Sequence, residues 1–391
     1  MRILLVHDRI GDLGGAEANV RIVAEGLARR GHEVALLHGQ GTGQGEERFH
    51  RVFAQRFDWT GGAGAAWAAA RAWAPEVVYV HKLARLDLLN DLVCSQLPLV
   101  RMVHDHDMWC QRSSRYFPWS RTACTRTAGW GCAMTCSVVR GSGPLGIKLA
   151  WPGLKLRELE LCRRFDRHIT VTGFMRDELV RHGIDATTVS ILPPVPRPAP
   201  DGFQADHAGR TILYVGQLLR GKGVDFLLRA CARLTQPDWR LVVIGDGSHR
   251  AACASLASSL GIAGRVEFTG WVQQEELHRF YAHARCAVVP SVWPEPIATI
   301  GLELMHHALP VVGFDSGGMA DWLDDGKVGY LVPPRDVAAM AGRIDRLLGD
   351  RGLAARLGAE GLARARAGLV VERYYDEVAA ILTACARARA A

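Results

Sequence analysis

Short apolar runs rich in Val, Ile and Leu recur along the chain, separated by stretches with helical periodicity. Runs that stay apolar instead of alternating fit strands covered on both faces, as in a parallel sheet flanked by helices. In the first half the predicted strands are Ile3–His7, Val34–Leu37, Val77–Val80, Leu99–Val103, His168–Val171 and Val189–Leu192. A helix is predicted over Ala16–Arg30, with Gly31 as its C-cap. Pro193-Pro-Val-Pro-Arg-Pro-Ala-Pro200 then breaks the pattern, because five prolines in eight residues make a stiff linker. The alternation restarts with strands at Thr211–Val215, Arg240–Ile244, Val266–Phe268, Ala287–Val289 and Val311–Phe314, and Ala-rich helical sequence follows. The pattern predicts an α/β protein of two doubly wound, Rossmann-like domains. Its expected boundaries are 1–195 with an insertion at 108–146, a linker at 196–207, a second domain at 208–368, and a helix at 369–391 packing back on the first. Such sheets bind ligands at their strand C-termini, so the expected site is a cleft between the domains.

A chain of 391 residues suits two cores better than one. No apolar run reaches the roughly 18–20 residues that cross a bilayer, and the N-terminal run is too short for a secretory signal. The expectation is a cytoplasmic protein. The net charge of +7 is uneven: residues 1–200 hold 26 basic against 19 acidic residues, whereas residues 201–391 hold 21 of each. Residues 108–157 contain no acid but include Arg112, Arg115, Arg121, Arg126, Arg140, Lys148, Lys155 and Arg157. A surface of this kind attracts phosphates or acidic lipids. The chain has only five lysines, so each one is informative.

The candidate chemistry lies mainly in the second half. Glu295 and Glu303 stand eight residues apart across a Pro-punctuated turn and a helix start. The N–H groups of Ala298, Thr299 and Ile300 would open that helix toward an anion, and carboxylates accept hydrogen bonds from sugar hydroxyls. Upstream, Val215-Gly216-Gln217-Leu-Leu-Arg220-Gly-Lys222-Gly223 follows a strand and combines close backbone approach with two cations, which suits a diphosphate. Ile244-Gly245-Asp246-Gly247 is a second strand-end turn, and Phe268-Thr-Gly270-Trp-Val272 a third, with Val272 a candidate wall for a nucleobase.

The joint order of these motifs, with Leu309-Pro-Val-Val and Gly317-Gly318, resembles the family-4 retaining glycosyltransferases of the two-domain GT-B fold. In the first half Asp12-Leu13-Gly14-Gly15-Ala16-Glu17 looks like that family's Gly-Gly-Ala-Glu loop, and Val103-His104-Asp105 like its strand-end His-Asp. The resemblance implies a nucleoside-diphosphate sugar, UDP-linked by preference, held mainly by the second domain, and a hydroxyl acceptor held mainly by the first. It assigns Glu303 to the ribose hydroxyls and Glu295 and His104 to the transferred sugar. Arg220 and Lys222 take the leaving diphosphate, and Gly14, Gly15, Gly216, Gln217 and Gly245 line the donor seat. It implies that catalysis needs no cofactor, and that substitution proceeds on the front face with the leaving phosphate taking the acceptor's proton.

Three departures stand out. Gln217 replaces an Arg common in the family, with Arg220 expected to restore that charge. Ile297-Ala298 replaces Phe-Gly and leaves the identity of the sugar open. His306-His307 replaces small residues and is expected as solvated helix polars. The insertion after His104 is the most individual part of the chain. It carries Trp109, Tyr116, Phe117, Trp119, Trp130 and Trp151, and Cys110, Cys124, Cys132 and Cys136 in a spacing that would allow a structural zinc site. It is expected to line the acceptor site and to suit a lipid-linked or anionic acceptor or an acidic membrane. No nucleic-acid motif accompanies its charge. The rival readings are a non-catalytic nucleotide-sugar sensor and another GT-B enzyme, such as an epimerase or a phosphorylase.

Overall fold

The computed structural model describes residues 1–11, 15–117, 119–140 and 147–390. The chain divides into two compact units. Residues 1–113, 126–194 and 371–391 form the first; residues 114–125 and 195–370 form the second.

The first unit is built on a seven-stranded, all-parallel sheet. Its spatial order is Val189–Ile191, Arg167–Thr170, Leu99–Val103, Val77–Lys82, Arg2–His7, Glu33–His38 and Gln55–Asp58. The central strands are mostly apolar and almost wholly buried, with His7, His81 and Arg101 as buried polar exceptions, as suits helix-covered parallel strands. The edge strand Gln55–Asp58 was not predicted, because only Phe57 of its four residues is buried and no apolar run marks it. The first helix spans Gly15–Arg29. Beyond it Gly31 adopts φ +79°, and the N–H groups of Gly31 and His32 close back on Ala28 and Leu27. This left-handed cap is open to glycine at little cost.

The second unit holds a six-stranded parallel sheet in the order Val266–Gly270, Arg240–Ile244, Thr211–Val215, Ala284–Val289, Val311–Phe314 and Gly329–Val332. Gly329–Val332 was not singled out in the sequence. Its glycine is imposed by packing, since a Cβ there would lie 2.0 Å from the Val311 carbonyl oxygen.

Two segments join a unit distant from their place in the sequence. Residues 114–125 of the insertion belong to the second unit. Tyr116–Phe117 pairs antiparallel with Thr122–Ala123, and Tyr116 is 4% exposed in a core with Ile212, Val224 and Leu228. The rest of the insertion stays with the first unit. So does the helix Val371–Ala390, which packs on the first helix. Asn19 donates to the Tyr374 hydroxyl at 3.1 Å, and Arg30 pairs with Glu372 and Asp376. At Gly26 a Cβ would lie 2.3 Å from the Tyr375 ring. Gly26→Leu should therefore overpack this contact and cost about 1–3 kcal/mol, measured by denaturant unfolding. Limited proteolysis should then cut within 371–390 faster than in the wild type; equal rates would show that the contact does not hold the helix.

Candidate functional site

In the second unit the two strand-end glycines are neighbours. The Gly216 N–H donates to the Ile244 carbonyl at 3.0 Å, and the Gly245 N–H to the Gly270 carbonyl at 2.8 Å. From Gly216 the backbone runs through exposed Gln217, whose carbonyl accepts from the Tyr214 hydroxyl, into the turn Arg220–Lys222. Gly223 ends that turn at φ +73° and opens the helix Val224–Cys231. A Cβ there would lie 1.8 Å from the Pro290 carbonyl oxygen, so only glycine allows the turn to lie against the loop after Ala284–Val289.

That contact brings Lys222 to Glu295. The Lys222 ammonium donates to Glu295 Oε1 at 2.7 Å, and the same oxygen accepts from Ser291 Oγ at 2.5 Å and Trp293 Nε1 at 2.6 Å. Lys222 also stands 4.8 Å from the centre of the Trp293 ring. Glu295 is only 4% exposed, and a buried carboxylate requires compensation of this kind. Three donors on one oxygen fix the carboxylate plane, and no described protein group donates to Oε2. Arg220 is exposed and has no ion pair among the described residues.

Glu303 lies on the helix Thr299–His306, which follows Ala298 and opens without a side-chain cap. Its Oε1 accepts from Gln274 Nε2 at 2.8 Å and the Tyr281 hydroxyl at 3.0 Å. Burial raises its pKa, although these two bonds and the Arg197 charge pull the other way. Val272, Ala298 and Ile300 belong to one apolar cluster with Tyr281, while Thr299 is exposed. His306 and His307 are buried, a correction to their expected solvation. The His307 Nδ1–H donates to the Glu303 carbonyl at 2.8 Å and its ring meets Tyr281 edge-on, so this histidine braces the helix that carries Glu303.

In the first unit His104 sits at a strand end in a recess lined in part by His81, Lys82, Asp105 and Asp107. His81 Nδ1 and His104 Nε2 are 3.2 Å apart, so one ring donates and the other accepts. Burial, then the His7, Lys82 and Arg101 charges, lowers the His104 pKa to about 3. Asp107 is the hub of the surrounding charges. It takes Lys82 at 3.3 Å, Lys155 at 3.4 Å and the Ser113 hydroxyl at 2.7 Å. Burial works to raise its carboxyl, but Lys155 and Lys82 outweigh it and hold the pKa at about 2. Gly15 begins the first helix; Gly14 lies outside the described residues.

Cys110, Cys132 and Cys136 belong to the first unit, and Cys124 to the second; none of the four is in a disulfide. Among the described residues no three His, Cys, Asp or Glu side chains are grouped to hold a metal ion. The four cysteines of the C-x13-C-x7-C-x3-C spacing are thus shared between the two units, three in the first and Cys124, next to the strand Thr122–Ala123, in the second. The insertion instead exposes apolar side chains. Trp130 and Trp151 are 62% and 60% exposed with ring centres 5.7 Å apart, Met134 is 90% exposed, and Val138 lies opposite Leu149 on a short antiparallel pair.

Several site residues were not read from the sequence. Ser291 and Trp293 stand between the predicted strand Ala287–Val289 and Glu295 without a role of their own, and Tyr281 and Gln274 carry no local signature. Lys82 and Lys155 were visible as rare lysines, but only the fold brings them to Asp107.

Two families match in complementary halves: Glycosyltransferase Family 4 over residues 13–195 and Glycosyl transferases group 1 over residues 200–364. An exopolysaccharide phosphotransferase of Streptomyces coelicolor is 31% identical over 47% of this chain and 20% of its own length. The chain spans only 38% of each of two further curated relatives. A glycogen synthase of Mycobacterium tuberculosis is 26% identical over 91% of this chain and 88% of its own. A solved Anabaena protein in complex with UDP and glucose covers 98% of this chain and is itself covered completely, with a TM-score of 0.70 at 18% identity. These likenesses and the two parallel-sheet units identify the GT-B fold.

The His104 environment sets a pH dependence. A histidine whose folded pKa is lowered binds its proton first in the unfolded chain, near 6.5, so stability falls as pH drops below that value toward about 3. His104→Gln should therefore lose less unfolding free energy between pH 7 and pH 5 than the wild type, in denaturant titrations at both pH values. An identical loss would mean that His104 is not held neutral.

Proposed function

Because the chain belongs to the family-4, group 1 glycosyltransferases, we propose that it transfers a sugar from a nucleoside-diphosphate sugar, a UDP-sugar by preference, to an acceptor hydroxyl with retention of configuration. The observation that carries this reading is the fixed Lys222–Glu295 couple beside exposed Arg220. Glu295 Oε1 is saturated by Lys222, Ser291 and Trp293, which leaves Oε2 to accept from a sugar hydroxyl. Glu303 is arranged alike, with Oε1 taken by Gln274 and Tyr281 and the other oxygen available for a ribose hydroxyl.

In this reading Lys222 and Arg220 face the negative charge that grows on the diphosphate as the glycosidic bond lengthens. Cations fixed before the reaction need no reorganisation while it proceeds. His104 is neutral at pH 7, so it can hydrogen-bond a sugar hydroxyl without repelling the positive charge that develops at the anomeric carbon. The leaving phosphate takes the acceptor's proton, so no strong protein base is required. The UDP bound in the Anabaena relative favours uridine as the base.

The test is a panel of UDP-, GDP- and TDP-sugars, read by release of nucleoside diphosphate. A UDP-sugar should turn over, and Lys222→Ala or Arg220→Ala should lower kcat roughly 100-fold or more. Glu303→Gln should instead raise KM for the donor. Nucleotide binding without turnover across acceptor classes would favour a sensor, and no binding would overturn the reading.

The exposed face of the insertion favours a second element of the same function, contact with an acidic membrane that presents the acceptor. Trp130, Trp151, Met134 and Leu149 form an apolar surface of the kind that enters a bilayer interface. Arg112 borders it, donating to the Val138 carbonyl at 2.9 Å, and residues 108–157 contain no acid to repel anionic headgroups. No described helix is long and apolar enough to cross a membrane. Phosphatidylglycerol vesicles should co-sediment the protein at low salt, neutral vesicles should do so less, and Trp130→Ser with Trp151→Ser should release it. Failure to bind anionic vesicles, or a dimer that hides both tryptophans, would sink the membrane contact.

A further inference from the structure

Arg121 is the residue through which the insertion reaches the Arg220–Lys222 turn. It stands on the loop joining Tyr116–Phe117 to Thr122–Ala123, at φ +58°. A left-handed backbone is uncommon for a residue with a Cβ and persists where its surroundings hold it. Here the side chain is held on every side. Its two terminal nitrogens engage both oxygens of Asp225, one at 2.8 Å and the other in a short ion pair. The nitrogen at 2.8 Å also donates to the Arg220 carbonyl at 3.1 Å. The guanidinium lies 4.3 Å from the centre of the Phe226 ring, and Nε donates to the Tyr116 hydroxyl at 3.4 Å.

These partners bracket Lys222. Arg220 precedes it by two residues, and Asp225 follows it by three in the first turn of Val224–Cys231. Arg121 therefore ties both ends of the segment whose centre carries the ammonium on Glu295. It also cancels a charge: Asp225 is 7% exposed, and the other basic group beside it, His249 at 3.9 Å, has its pKa lowered by burial. Without Arg121, a buried carboxylate would stand unpaired beside the cations assigned to the leaving diphosphate. Lysine cannot substitute, because it offers a point charge where two carboxylate oxygens, a carbonyl and a ring face are met by one planar fork.

We propose that Arg121 is a positioning residue of the donor site, contributed by the insertion, that holds the Arg220–Lys222 turn and neutralises Asp225 so that the turn receives a diphosphate. This rests on the nucleotide-sugar reading given above. It makes the insertion part of the donor side of the reaction, beyond its expected role at the acceptor.

The experiment measures UDP and UMP affinity by calorimetry on the full chain, with thermal unfolding run in parallel. Arg121→Ala should weaken UDP about tenfold or more, equivalent to 1.4 kcal/mol, while UMP, which lacks the second phosphate, changes less. Arg121→Lys should fall between them, and it serves as the test protein if Arg121→Ala does not fold. Adding Asp225→Asn to Arg121→Ala should restore part of the UDP affinity, because the uncompensated charge is gone. Wild-type UDP affinity in either Arg121 variant would overturn the proposal, as would an equal loss of UDP and UMP. A wild-type protein that binds none of UDP, GDP and TDP would sink the nucleotide-sugar reading itself and this proposal with it. Wild-type binding with unaffected variants would sink this proposal alone.

Discussion

The second unit depends on one constraint: a nearly buried carboxylate, Glu295, must be satisfied inside a loop. Lys222, Ser291 and Trp293 meet that demand on a single oxygen. They come from two segments. Lys222 comes from the turn that Gly223 allows to lie against Pro290. Ser291 and Trp293 lie in the loop that follows the strand Ala284–Val289. The backbone closes the arrangement from the other side, where the Gly318 N–H donates to the Glu295 carbonyl at 2.7 Å. Removing one donor leaves a nearly buried carboxylate less compensated, which is costlier than losing a surface ion pair. The same demand that stabilises the loop thus fixes the orientation of the carboxylate and leaves Oε2 without a described protein donor.

The first unit meets a comparable problem differently. Lys82, Lys155 and Arg101 stand among Asp105, Asp107 and Glu158, so the charges cancel locally. The Lys82 ammonium loses stability through burial but is raised overall by Asp105 and Asp107. His104 sits beside this network and, deprived of water, stays neutral. One unit carries fixed charge at Lys222 and Arg220, and the other holds a neutral ring at His104.

Most of the fold was legible because parallel strands covered on both faces write themselves as apolar runs. Gln55–Asp58 escaped because an edge strand needs to bury only one residue. The Glu295–Glu303 segment and the Arg220–Lys222 turn were legible because their residue types have few other reasons to stand together after a strand. Their supporting partners were not: Tyr281 is 22 residues from Glu303, and Arg121 is 104 residues from Asp225. Nothing local in the chain encodes such pairs. The hairpin that carries Tyr116 was hidden for a related reason, since sequence distance is silent on a segment that joins another core.

The chain passes between its two units at 113/114, 125/126, 194/195 and again near 370. This threading sets the order in which the molecule can be completed. During synthesis the first sheet emerges early, yet the helix that covers Asn19 and Gly26 is made only after the whole second unit. Until then the nascent first unit carries an uncovered apolar face. Tyr116, made in the first third of the chain, waits for a core assembled from residues beyond 210. The two units therefore mature together, and a ribosome that stalls between them leaves neither one finished.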